Sequence, residues 1–305
     1  MGGDATDRRV TLWEVAPRDG FQPVGPFIPT ARKIAAIRAL AEAGLSRQEV
    51  SSFVSPKAVP QLADVAEVLA AARAIPGFTA CVLAPNRKGV ELALAHGAHR
   101  IGLFMSVTES HNRSNVNRGV EESFSDLSLL VAEIGERADV RFNLSCSFHC
   151  PFEGVVPEAT TLALVARVAA LKPGIEIGVA DTTGNAAPDQ VARVFTRALA
   201  AHPDASFAFH GHDTYGMGLA NVAAAFGAGV RIFDAAAGGI GGCPFAPGAT
   251  GNVATEDVVW MFHRMGVGTG VDLPALLAAA DAIAAIPGVL PGGRVRGVPA
   301  ARRAA

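Results

Sequence analysis

At 305 residues, half of them hydrophobic and only 18% charged, the chain can bury a large core and is too apolar to be read as disordered. A net charge of −2 gives no reason to expect nucleic acid or a membrane surface as partner, so neither is expected. The four cysteines (Cys81, Cys146, Cys150, Cys243) form no Cys-x-x-Cys pair, the first nine residues are polar, and no run of 18 apolar residues occurs. These features suit a cytoplasmic protein in a reducing compartment, without a disulfide framework.

Apolar strand-like runs alternate with alanine-rich helical stretches along the chain. Val10–Val15 reads as the first strand, followed by a loop, Ala16–Gly20, and a helix that Thr30 can cap and Gly44 ends. Further strands are expected at Gln48–Phe53, Phe78–Leu83, Arg100–Met105, Val140–Ser145, Ile175–Ala180, 206–213 and Val230–Ala235. Helices are expected near 61–74, 87–96, 123–137, 157–172, 188–201 and 216–227, with a long polar loop over Ser106–Asn117. Two or more helices (252–266 and 272–286) follow the last strand. Eight strands separated by helices predict an α/β fold, a (β/α)8 TIM barrel with extra C-terminal helices, in one domain over 10–288. A doubly wound sheet is the alternative, weakened by the lack of a Gly-rich dinucleotide fingerprint after the first strand. Residues 1–9 and 289–305 are expected to be disordered tails; the last fifteen residues hold four arginines and no acid.

The polar residues then fall into a pattern. Arg18, Asp19, Glu49, Asp181, His210 and His212 all lie at or just past the C-terminal ends of expected strands, which is the catalytic face of a barrel. In a strand, residues i and i+2 share a face, so His210 and His212 can aim two imidazoles at one point. The bland reading is two satisfied polar histidines at a strand end. With Asp19 they make a plausible octahedral site for Mg²⁺ or Mn²⁺, zinc being a further possibility. Arg18 keeps its charge and suits a developing oxyanion; a rim salt bridge with Glu49 or Asp181 is the plainer role. The glycine-rich stretch 238–252 reads as a lid, with Cys243 inside it as a thiol able to take part in proton transfer.

Seven stretches carry a family resemblance: Pro17–Gln22, Ser52–Gln61, Pro85–Gly89, Cys150–Gly154, Asp181–Gly184, His210–Gly216, and the loop around Cys243 with Gly251–Asp257. Together they resemble the 3-hydroxy-3-methylglutaryl-CoA lyases, within a wider group of metal-dependent barrel lyases and Claisen-type synthases. The resemblance spans about residues 10–285, and the cysteine loop is its most specific part. It implies an acyl-CoA substrate, a divalent metal (Mg²⁺ or Mn²⁺) on Asp19, His210, His212 and Asn252, and a homodimer. It further implies that Arg18 stabilises an enolate, Cys243 protonates it, and Glu49 positions Arg18 and Asp19. Ser52 and Asn115 match positions near the substrate, and His210, Asp181 or a water is the base.

The chain departs from the family pattern at Gly178 (often serine), Asn143 (usually aromatic), His149 (usually glycine) and 110–114. Loss of a side chain at Gly178 is expected to enlarge the pocket, which keeps a longer or branched 3-hydroxy-3-carboxymethyl-acyl-CoA in view. The rivals are a synthase condensing an acyl-CoA with a 2-oxo acid, disfavoured by the short stretch after the barrel, and a silent metal-binding scaffold, which predicts a missing catalytic position. Arg87 and Lys88 are weak phosphate candidates, more readily explained as solvated charges at a helix start.

Overall fold

The computed structural model describes residues 8–241, 251–299 and 302. Eight parallel strands close into a barrel: β1 (Thr11–Glu14), β2 (Arg47–Ser52), β3 (Thr79–Leu83), β4 (Arg100–Ser106), β5 (Asp139–Ser145), β8 (Glu176–Asp181), β9 (Ser206–Gly211) and β10 (Ile232–Ala235). A small antiparallel hairpin, β6 (His149–Cys150) with β7 (Gly154–Val155), sits in the loop after β5. Closure is made by β1, which pairs with β10 on one side and, through Glu14 and Gln48, with β2 on the other.

The two-residue period of a strand separates the layers. On β8, Ile177 and Val179 are fully buried in the hydrophobic core, while Glu176, Gly178 and Ala180 alternate with them. On β9, Phe209 meets Phe195 of α7 (Pro188–Ala201) edge-on at 5.8 Å, so its alternating neighbours Ala208 and His210 face the barrel interior. The remaining helices are α1 (Thr30–Glu42), α2 (Val65–Arg73), α3 (Arg87–Ala95), α4 (Glu109–Val116), α5 (Val120–Ile134), α6 (Glu158–Ala169), α8 (Gly218–Ala228), α9 (Thr255–Arg264) and α10 (Leu273–Ala284). No helix among the described residues is long and apolar enough to cross a membrane.

Four local readings of the sequence change. The Ala16–Gly20 stretch is a wide helical turn rather than a loop. Thr30 is the first helical residue of α1, behind Pro29, and makes no side-chain cap. The polar loop over Ser106–Asn117 contains α4, which has almost no apolar face to announce it. Asn112 pins it instead: its Oδ1 accepts from the Ser106 N–H at 2.9 Å, and its Nδ2 donates to Arg118 O, Gly119 O and Ser123 Oγ. The segment 289–299, expected as a disordered tail, is tied to the body: the N–H groups of Arg294 and Val295 donate to Asp257, and that of Gly292 donates to Gly238 O at 2.7 Å.

Candidate active site

A cavity of about 1470 Å³ opens at the C-terminal mouth of the barrel. The turn after β1 delivers Arg18 and Asp19 to it, and β9 delivers His210 at its last turn of pleat and His212 just beyond its end. One ligand atom from each of Asp19, His210 and His212 lies within 4.8 Å of the others. Asn252 bridges His212 backbone to backbone and donates its Nδ2 to Asp19 Oδ2 at 2.7 Å. Among the described residues its amide oxygen is buried without a partner, as is Nδ1 of His212. An anionic oxygen and two imidazoles around one point, with the Asn252 amide beside them, form a donor set that fits a hard or borderline divalent cation. Buried polar atoms left unpaired at one spot are unusual unless something else satisfies them.

The electrostatics of this floor are set by Arg18. Its Nε donates to Glu49 and its Nη1 lies 2.5 Å from Asp19 Oδ1. Burial alone would raise the Asp19 carboxyl; the adjacent guanidinium and the two imidazoles outweigh it and hold Asp19 well below the usual carboxylate range. Burial lowers His212 to about 4, so its ring is neutral and free to bind a metal at neutral pH. Glu49 lies mid-strand on β2 and is buried, with Arg18 as its partner.

Further up, Ser52 lines the cavity with its Oγ donating to Leu83 O at 3.2 Å, and Asn115 lines it from α4. Asp181 does not join this group. Its Oδ1 accepts from the Asn185 N–H and its Oδ2 from the Ala186 N–H, and it is absent from the cavity wall. Burial raises it to about 6. Its geometry is that of a residue closing the turn after β8. Cys243 lies outside the described residues. Arg87, at the cavity edge, donates to Glu133, in line with the surface-charge reading.

The Gly178 expectation reverses. A Cβ at Gly178 would stand 2.3 Å from Asn143 Oδ1, so the space is filled by Asn143, its register partner on β5. The two departures from the family pattern are one packing arrangement. His149 is bonded to Thr183 Oγ1 at 3.3 Å and does not line the cavity.

Two residues of this region went unread in the sequence. His210 Nδ1 lies 3.1 Å from Asp234 Oδ2, and both Asp234 oxygens accept from Nη2 of Arg141 at 2.7 Å. Arg141 also donates from Nε to Asn143 Oδ1 at 3.0 Å, and its guanidinium lies 5.4 Å from the Trp13 ring. A charged residue inside an otherwise apolar strand, as at Arg141 and Asp234, was the available signal.

A closed parallel barrel whose mouth gathers a carboxylate, two imidazoles and a half-buried guanidinium defines a barrel enzyme with a candidate divalent-metal site. A family model described as HMGL-like matches residues 9–283, and the chain belongs to that family. The mitochondrial hydroxymethylglutaryl-CoA lyase of Rattus norvegicus is 43% identical over 277 residues, covering 90% of this chain and 85% of that one. The Bacillus subtilis HMG-CoA lyase structure superposes with a TM-score of 0.91 at 40% identity, covering 95% of this chain and 97% of that one. An HMG-CoA lyase from Acinetobacter baumannii, solved with coenzyme A and 3-methylmalate, gives 0.90 at 37% identity, over 98% and 97% of the two chains.

Proposed function

We propose that the protein is a divalent-metal-dependent carbon–carbon lyase that cleaves 3-hydroxy-3-methylglutaryl-CoA to acetoacetate and acetyl-CoA. The observation that carries this reading is the set Asp19, His210, His212 beside Arg18, on the floor of a cavity wide enough for an acyl chain. Asp19, His210, His212 and Asn252 are the residues to hold Mg²⁺ or Mn²⁺. When bound, the cation supplies positive charge to the substrate's oxygens and so eases loss of the hydroxyl proton.

In the reaction, the tertiary hydroxyl loses its proton and its C–O bond becomes the ketone of acetoacetate. The C2–C3 bond breaks, and its electron pair becomes the enolate of acetyl-CoA. Arg18, fixed by Glu49 and Asp19, is placed to hold that enolate oxygen. Cys243 is assigned the proton delivered to C2. His210 and a water remain the base candidates, because both oxygens of Asp181 are taken by backbone N–H groups. Ser52 and Asn115 contact the substrate in this reading, and the enzyme works as a homodimer in the cytoplasm.

A lyase acting on a longer 3-hydroxy-3-carboxymethyl-acyl-CoA is the second reading. The cavity wall at Asn143 is what favours it, since a small amide stands where the family resemblance leads one to expect an aromatic ring. The deciding experiment supplies the Mn²⁺- or Mg²⁺-loaded protein with 3-hydroxy-3-methylglutaryl-CoA and follows acetoacetate and acetyl-CoA. Equimolar release of both supports the primary reading; release from a longer homologue alone moves the assignment to the second. Cys243→Ser is expected to cut turnover by orders of magnitude with unchanged metal affinity, and near-normal turnover removes Cys243 from the mechanism.

A further inference from the structure

His210 and His212 differ in one respect that the reaction scheme does not use. His212 Nδ1 is buried with no protein partner among the described residues, whereas His210 Nδ1 is 3.1 Å from Asp234. Asp234 and His210 are register partners on β10 and β9, so the strands themselves bring the two side chains together. Behind Asp234 stands Arg141, 1% exposed, with one nitrogen 2.7 Å from each carboxylate oxygen. A buried ion pair of this kind is a poor source of stability, because desolvation of both charges offsets their attraction. A positioning role explains the geometry better.

We infer that Asp234, locked by Arg141, is a positioning residue that fixes His210 with Nδ1 protonated and the Nε2 lone pair directed to the Asp19–His212 cluster. This rests on the metal reading above. An ionised carboxylate only accepts, so the ring nitrogen facing it must carry the proton, and the other nitrogen keeps the lone pair a cation needs. Metal-ligating histidines commonly donate their second N–H to such a carboxylate, which orients the ring and raises its basicity. Arg141, a pure donor, fixes which way Asp234 presents its oxygens. The Arg141 Nε bond to Asn143 ties the same guanidinium to the cavity wall, so one buried cation sets both a metal ligand and a substrate-facing side chain.

The informative variant is Asp234→Asn. It keeps the shape, but Arg141 can bond only to the amide oxygen, which turns the amide N–H₂ toward His210. The ring then accepts at Nδ1 and protonates at Nε2, so its lone pair no longer faces the cluster. Two measurements follow. The first is the ¹⁵N spectrum of histidine-labelled, metal-free wild type at a pH where the ring is neutral, with His210 assigned by comparison with His210→Gln. It should show His210 as the Nδ1–H tautomer, and Asp234→Asn should switch it to Nε2–H. An Nε2–H ring in the wild type overturns the inference even if the variant does not fold. The second is Mn²⁺ titration followed by electron paramagnetic resonance. Affinity should fall by about 10–100-fold in Asp234→Asn. Equal affinity and an unchanged tautomer overturn the positioning role while the metal reading stands. A wild type that binds no Mn²⁺ overturns the metal reading itself and the inference with it.

Discussion

Two sets of buried or half-buried carboxylates lie at the same end of this barrel and are shifted in opposite directions. Asp19 and Asp234, on the cavity floor, are held below the usual carboxylate range: burial pushes both up, but Arg18 beside the first and Arg141 beside the second outweigh it. Glu14 and Glu256, a short distance away, are both raised to about 7 by burial. Glu14 is well bonded, accepting from the N–H groups of Ala16 and Ala237 and from Thr255 Oγ1 at 2.8–2.9 Å, and Glu256 accepts from the Gly238 N–H. Backbone N–H groups therefore do not replace a guanidinium as the partner of a buried carboxylate here. The geography follows the chemistry. The charge-paired set faces the cavity, and the proton-holding set ties residues 237, 238 and 255, which flank the stretch carrying Cys243.

The largest expected effect breaks the charge-paired set. Arg18→Gln removes the cation from both Asp19 and Glu49 and from the position assigned to the enolate oxygen. Loss of a single well-placed oxyanion donor costs about 10²–10³ in kcat. Acetoacetate release by the metal-loaded variant should fall by that factor, and a loss under about fivefold would mean that Arg18 serves Asp19 and Glu49 only.

The second test addresses the proton-holding set. A rise from 4.5 to about 7 in Glu14 corresponds to about 3 kcal/mol between its two protonation states. The folded protein retains the Glu14 proton over this window and the unfolded chain loses it. Stability from this group is therefore greatest below about pH 4.5 and declines as pH rises toward 7. Glu14→Gln keeps the acceptor for Ala16 and Ala237 and removes the titration. The urea midpoint of the variant should decline less than that of wild type between pH 4.5 and 7, with Glu256 supplying part of the slope that remains. Parallel curves would show that Glu14 is ionised throughout and that the contrast between the two sets is wrong.

A smaller effect separates the two duties of Arg141. Gly178→Ala drives a Cβ into the place of Asn143 Oδ1, so Asn143 must leave Arg141. The Asp234 side of the guanidinium is pressed far less, the same Cβ standing 3.3 Å from Arg141 Nη2. Mn²⁺ affinity should hold while kcat/KM falls about tenfold, equivalent to about 1.4 kcal/mol. A matching loss of metal affinity would show that the cavity wall and the metal ligand are not independently set.

Much of this architecture was legible because it depends on short-range period. Each strand run gave its place in the barrel, and the i, i+2 rule put His210 and His212 on one side with Asp19 across the mouth. What stayed hidden depends on distant partners. Period two says that Arg141 and Asp234 point inward, but β5 and β10 are not neighbours in the barrel, and only its closure brings residues 93 apart in sequence into contact. Gly178 misled for the same reason: a missing side chain reads as space until its cross-strand partner is known. Helix α4 escaped because buried Asn112, rather than an apolar stripe, holds it, and polar segments without periodicity read as loops. Asp181 sits where a catalytic carboxylate would, and only the placement of Asn185 and Ala186 shows its oxygens are occupied.

The smallest expected effect tests whether proximity or burial gives the charge-paired set its strength. Arg167 of α6 meets Glu121 of α5 through two nitrogens at 2.6 and 2.8 Å, a two-point fit where Arg18 and Asp19 share a single contact. The hydrogen bond lowers Glu121 and raises Arg167, the same directions as on the cavity floor. Yet the Glu121 side chain is 78% exposed, so water screens the pair and competes for both partners. Glu121→Gln should leave the urea midpoint within experimental scatter at every pH, and added salt should change neither protein's midpoint relative to the other. A shift as large as that of Glu14→Gln would make distance, not exclusion of water, the controlling variable. Arg18 and Arg141 would then owe their influence to contact alone, and the interior of the barrel would be no better a place for an ion pair than its surface.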